Sequence, residues 1–262
     1  MGKSKVSIEE NDHVLMIGLN RPEKRNAFDL EMYRDLSLAY GELHHNPNLR
    51  CGLLVAKGDH FTAGFDLTEW VPLLSKGRFP DLPENSIDPL GLDEENKLCK
   101  PMVIAVQGLC LTIGIELLLA TDIRVAASDT RFGQFEIKRG IYPVGGATVR
   151  LMREVGWGNA MRYLLTADEI SAEEAFRIGL VQELTQPGKQ IDRALNIATT
   201  ISKQAPLGVR ATLTSARLAR TQGENLAIAR LLPDLIPIME SEDFREGFQS
   251  FIERREAKFK GC

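Results

Sequence analysis

Short apolar segments rich in Val, Ile and Leu recur along this chain with helical patterns between them, and that alternation constrains the fold most. Residues 14–19 (VLMIGL), 52–57 (GLLVAK), 103–107 (VIAVQ), 122–126 (DIRVA) and 180–184 (LVQEL) read as strands. Each is brief, is built from apolar and β-branched residues, and ends on or near Gly, Asn, Asp or Lys. Helical spacing fills 30–44, 115–120, 147–155 and 159–166. Such alternation predicts an α/β fold of βαβ-type units with right-handed crossovers. Beyond residue 184 the pattern is mostly helical, over 190–204, 206–221, 223–239 and 243–259. The expected organisation is an α/β core over 1–190 and a helical region over 191–262, with no disordered linker between them.

The chemistry concentrates in residues 107–146, QGLCLTIGIELLLATDIRVAASDTRFGQFEIKRGIYPVGG. Two acidic residues, Glu116 and Glu136, stand there in apolar, glycine-punctuated sequence. A carboxylate in such surroundings is costly to bury unless it is paired, hydrogen-bonded or protonated. The pair is therefore a candidate for general acid/base work, with satisfied structural carboxylates as the alternative. Glu116 opens a helical run, where unpaired N–H groups and the positive end of the helix dipole favour a developing negative charge.

Five segments in order resemble the crotonase superfamily, the enoyl-CoA hydratase/isomerase proteins. They are 14–29 (VLMIGLNRPEKRNAFD), 60–67 (HFTAGFDL), 103–150, 158–184 and 241–261. The resemblance implies a crotonase-like ββα spiral core and a C-terminal helical trimerisation region, giving a homotrimer or a dimer of trimers. It implies an acyl-CoA thioester as substrate, with coenzyme A present as part of that substrate and no permanently bound cofactor. The carbonyl of the thioester would be held by the N–H groups of Phe65 and Ile113. Glu116 and Glu136 occupy the two positions at which hydratases of the family keep glutamates. Hydration of a trans-2-enoyl-CoA is the expected reaction. An isomerase, another crotonase-type lyase or hydrolase, and a non-catalytic acyl-CoA-binding protein are the alternatives.

By the same resemblance Glu23, Lys24 and Arg25 border the nucleotide part of coenzyme A, and Ala63, Asp66 and Leu67 lie along the pantetheine. Three positions depart from the family pattern. Thr112-Ile113-Gly114 replaces a run of glycines, Val144 replaces a glycine after Pro143, and Phe65 stands where alanine is common. All three add bulk, so an altered acyl pocket is expected. Residues 71–100 contain Pro72, Pro80, Pro83 and Pro89, which exclude one continuous helix there. The resemblance places this stretch beside the acyl pocket.

Other classes fit poorly. The net charge is -4, with 44% hydrophobic and 26% charged residues, and no basic block suggests nucleic acid. No apolar run reaches the roughly 20 residues of a membrane span, and the N-terminus has no signal-like apolar core. Cys51, Cys99, Cys110 and Cys262, like His13, His44, His45 and His60, lack metal-ligand spacing, so no metal site is expected. These cysteines suit a reduced, cytoplasmic chain.

Overall fold

The computed structural model describes residues 4–93 and 96–262. A six-stranded sheet organises the core, in the order β1 (Val6–Asn11), β2 (Val14–Leu19), β3 (Cys51–Ala56), β4 (Met102–Val106), β6 (Ile123–Ala127), β9 (Glu183–Thr185). Only β1 runs antiparallel to its neighbour; the other pairings are parallel. A second, three-stranded sheet contains β5 (Leu109–Leu111), β7 (Arg131–Gly133) and β8 (Ile170–Ser171).

The chain visits the two sheets in turn, then enters a helix. After β2, the segment around Phe28 leads into α1 (Leu30–His45); after β3, residues around Thr62 and Phe65 lead into α2 (Leu67–Leu74). After β4, β5 leads into α3 (Ile113–Ala120). Then β6 and β7 lead through a 3-10 turn, Glu136–Arg139, to α4 (Ala147–Val155) and α5 (Trp157–Thr166). Successive turns therefore stack as a ββα spiral, and the expected α/β class holds.

Both faces of the large sheet are buried. Leu15, Ile17, Leu54, Ile104 and Val106 point into the main core with α1 and α3. Val14, Leu53, Val103, Ala105 and Val125 point the other way, against Ala194 and Ala198 of α7 (Gln190–Ser202). A period of two, with both sides covered, explains why these strands read as continuous apolar runs.

The remaining helices are α6 (Ala172–Arg177), α8 (Pro206–Gln222), α9 (Glu224–Met239) and α10 (Glu242–Glu253). On α9, Ile228, Leu231, Leu232, Leu235 and Ile236 are exposed, although the segment is apolar.

The structure shifts several expected boundaries. The strand expected at 180–184 begins only at Glu183, because 178–182 form the turn that closes α6 around Gly179 (φ 84°). The last helix ends at Glu253 rather than 259. Arg254 turns left-handed (φ 55°), and the tail folds back so that Lys260 and Gly261 N–H groups donate to the Asp243 carboxylate at 2.7 and 2.9 Å. No single helix spans 71–100 among the described residues, yet Pro72 is tolerated in the last turn of α2.

Candidate active site

The spiral places the end of one turn beside the end of the next. Thr62 N–H donates to the Leu109 carbonyl at 2.9 Å, and Leu111 N–H donates back to Thr62 at 3.1 Å. This bridge sets residues 62–65 alongside 109–113. Gly64 (φ 109°) and Thr112 (φ 49°) then meet closely enough that a side chain at 64 would collide with the Thr112 hydroxyl. The next residue in each segment is Phe65 and Ile113. Among the described residues neither N–H donates to a backbone or side-chain acceptor. For Ile113 this follows from its place as the first residue of α3.

The three-residue sequence Thr112-Ile113-Gly114 solves its conformational problem at Thr112. Positive φ at a β-branched residue costs on the order of 1–3 kcal/mol and persists only where the surroundings impose it. Ile113 is itself helical, and its side chain is wholly buried in the main core. The bulk expected there is therefore absorbed by the core. Gly114 is needed for a different reason: a Cβ would come within 2.7 Å of Thr62 Cγ2 and 3.0 Å of Cys110 Sγ.

Helix α3 is apolar on all sides, as a fully buried helix must be, with Glu116 as its one ionisable residue. Glu116 is 0% exposed. One carboxylate oxygen accepts the Ala147 N–H at the start of α4 (3.3 Å), and the other has no partner among the described residues. Burial, and after it the charge of Glu136, raise its pKa to about 7, against the opposing pull of the Ala147 and Gly145 N–H groups and Arg150. Gly145 is required here, since any Cβ would enter the Glu116 carboxylate.

Glu136 opens the 3-10 turn after β7 and is 8% exposed. Burial also moves its pKa up to about 7. Two buried carboxyl groups with raised, interacting pKa values hold about one proton between them near neutral pH. Gln134 is buried beside them. Its amide nitrogen faces both Glu136 carboxylate oxygens at 3.0 and 3.1 Å and the Thr112 carbonyl at 3.3 Å. Three acceptors converge on that atom, which identifies it as the NH2 group.

The residues expected to meet coenzyme A gather along one rim. Glu23, Lys24 and Arg25 are exposed on the turn after β2. Ala63 N–H donates to the Arg25 carbonyl at 2.9 Å, joining that turn to the Phe65 segment. Asp66 precedes the first residue of α2 and pairs with Arg21 at 3.3 Å, and Leu67 is 42% exposed beside it. The buried hub under this rim is Asn26, which donates to the Lys57 and His60 carbonyls at 2.9 and 2.8 Å and accepts the Arg21 N–H at 2.8 Å.

Phe65 leans on Trp70 (centroids 4.2 Å apart), and Trp70 packs edge-on to Tyr33 and Phe79. The expected bulk at position 65 is thus part of an aromatic cluster that reaches the proline-rich stretch through Phe79. Val144 is 36% exposed, with Ile137, Ile141 and Tyr142 also exposed along the same segment.

Gln134, Gly145, Thr112 and Asn26 shape the site but were not singled out as site residues by sequence reasoning. For Gln134 the available signal was a lone amide two residues before a candidate carboxylate in apolar sequence. Among the described residues no His, Cys, Asp and Glu group could hold a metal ion, and no helix is long and apolar enough to cross a membrane.

Comparison with known proteins gives the family of the chain. Residues 9–262 match the enoyl-CoA hydratase/isomerase family. The enoyl-CoA hydratase EchA19 of Mycobacterium tuberculosis is 35% identical, covering 97% of this chain and 95% of its own. The (E)-benzylidenesuccinyl-CoA hydratase of Thauera aromatica is 33% identical over 98% of this chain and 99% of its own. A crystal structure described as a "probable enoyl-CoA hydratase/isomerase" from Mycobacterium abscessus superposes with a TM-score of 0.95 at 47% identity, covering 98% and 99% of the two chains. With its ββα spiral, paired buried glutamates and match over nearly its whole length, this chain belongs to the crotonase superfamily as a member of the enoyl-CoA hydratase/isomerase family.

Proposed function

We propose that the protein is an enoyl-CoA hydratase that adds water across the double bond of a trans-2-enoyl-CoA. The observation that carries this reading is the Glu116–Glu136 pair, two buried carboxyl groups close enough to perturb each other beside two unengaged backbone donors. The thioester oxygen accepts the Phe65 and Ile113 N–H groups. Water attacks C3 while the ionised carboxylate takes its proton, and the protonated carboxyl delivers a proton to C2 as the enolate collapses. The pair begins and ends with one proton, so no outside acid or base is needed. Loss of one such backbone donor typically costs on the order of 3 kcal/mol of transition-state stabilisation.

Coenzyme A enters as part of the substrate, with Lys24 and Arg25 offering charge to its phosphates and Ala63, Asp66 and Leu67 along the pantetheine. The aromatic cluster of Tyr33, Phe65, Trp70 and Phe79 supports an acyl pocket with one aromatic wall. The exposed apolar residues of α9 support assembly into a homotrimer or a dimer of trimers, in the cytoplasm. Light scattering that returns a monomer mass removes the assembly reading.

Loss of the conjugated enoyl-thioester absorbance on mixing with crotonyl-CoA and longer 2-enoyl-CoAs tests the reaction. Activity with at least one chain length is the expected result, and binding without turnover of any overturns it. Gly145→Ala should lose at least tenfold in rate with little change in fold, because the added methyl displaces the Glu116 carboxylate. Circular dichroism beside the rate assay checks this.

A further inference from the structure

We propose that Gln134 is a positioning residue that ties the two halves of the catalytic apparatus together through one amide group. The proposal rests on the hydratase reading for its kinetic consequence, though not for its geometry. Gln134 lies on the short segment between β7 and the Glu136 turn, and is 2% exposed. Its NH2 group meets both oxygens of Glu136 at 3.0 and 3.1 Å and the carbonyl of Thr112 at 3.3 Å. That carbonyl belongs to the same peptide unit as the Ile113 N–H. A donor on its oxygen fixes the peptide plane and polarises it, which makes the N–H at the other end a stronger donor. One side chain therefore aims an acid/base carboxylate and an oxyanion donor at the same substrate.

Thr112 needs such support. Its φ of 49° is unfavourable for a β-branched residue, and its hydroxyl has no hydrogen-bond partner among the described residues. The Thr112 carbonyl already accepts the Ile115 and Glu116 N–H groups at 2.9 and 3.2 Å. Gln134 adds the third donor, and it is the one that comes from outside α3.

The charges around Glu136 leave its ionisation sensitive to that amide. Glu116 faces it from α3, with Arg150 of α4 acting on Glu116. Lys138 and Arg139 follow on its own turn, with Lys138 5.0 Å above the Phe135 ring. On α5, which packs on this turn, Arg162 lies over Tyr163 at 5.2 Å. On β7, Arg131 is engaged with Glu169 at 2.6 Å. Lys138, Arg139, Arg162 and Arg131 form no ion pair with Glu136 among the described residues, so the Gln134 amide, together with the backbone N–H of Glu136 itself, favours its anion.

The test is Gln134→Met, which keeps the length of the side chain and removes the donor. The expected result is a fall in kcat of about tenfold to a hundredfold with KM nearly unchanged. The acid limb of the pH–rate profile should move to higher pH, because the Glu136 anion has lost a bond. A second readout needs no turnover: the ultraviolet absorbance of acetoacetyl-CoA bound as its enolate. In the wild-type protein the enolate should appear at lower pH than in Gln134→Met, since the oxyanion donor is weakened in the variant. If Gln134→Met unfolds, Gln134→Asn is measured instead; it keeps the amide but withdraws it by one methylene. A folded variant with wild-type kcat, pH profile and enolate titration overturns the proposal. Wild-type protein that hydrates nothing yet binds the enolate, with the titration shifted in the variant, overturns the hydratase reading and leaves Gln134 in its place.

Discussion

Glu116→Gln and Glu136→Gln should each lower the hydration rate by about 10²- to 10⁴-fold, the range typical of a positioned acid or base. KM for the enoyl-CoA should change little, because each carboxyl acts on the reacting atoms and not on the coenzyme. The double variant should be scarcely slower than the worse single one, since the two groups act as a unit. Both side chains are buried and glutamine preserves their volume, so the loss should occur without loss of fold. Steady-state rates with crotonyl-CoA, beside circular dichroism, decide it. An isomerase that relies on one carboxylate would lose activity in only one of the two single variants.

The same substitutions should stabilise the protein at alkaline pH. Glu116 and Glu136 have folded-state pKa values near 7, raised from 4.5 chiefly by burial. A raised carboxyl binds more protons in the folded state than in the unfolded state between those two values. Stability therefore falls as pH rises from about 4.5 to about 7, and is constant beyond on either side. Each carboxyl contributes a penalty of at most roughly 3 kcal/mol above pH 7. Glu116→Gln should thus melt several degrees above the wild type at pH 8, with the gap closing towards pH 5. Melting curves of equal concentration across this range check the sign. A gap that is absent at pH 8, or that widens towards pH 5, contradicts the assignment of buried, unpaired carboxyl groups. Such a stability cost at a functional site fits residues retained for chemistry.

The parts of this fold that were legible in the sequence are those held by long-period patterning. β2 falls at 14–19 and α4 at 147–155, as read from the sequence, because their apolar periodicity is complete. β5, β7 and β8 were not legible, since two or three residues carry no period to read. β1 was missed because it is an edge strand, with Glu9, Glu10 and Asn11 exposed and only the hairpin turn at Asp12 (φ 51°) to mark it.

At the site, Glu116 and Glu136 were visible as charges in apolar sequence. What positions them was not visible. The Gly64–Thr112 contact and the reach of Gln134 to both Glu136 and Thr112 join residues far apart in the chain, and only the register of successive spiral turns brings them together. The positive φ at Thr112 was equally hidden. The sequence marked the Thr112-Ile113-Gly114 replacement only as added bulk, whereas the structure shows that Thr112 takes the positive φ and Ile113 is helical.

Addition of water across a thioester-conjugated double bond is tested most directly by isotopic labelling. Crotonyl-CoA incubated with the protein in water enriched in heavy oxygen and deuterium should give 3-hydroxybutyryl-CoA, examined by mass spectrometry before back-exchange. The product should carry one heavy oxygen at C3 and one deuterium at C2, with neither incorporated by the Glu116→Gln, Glu136→Gln double variant. Deuterium exchange or double-bond movement without heavy oxygen would contradict it.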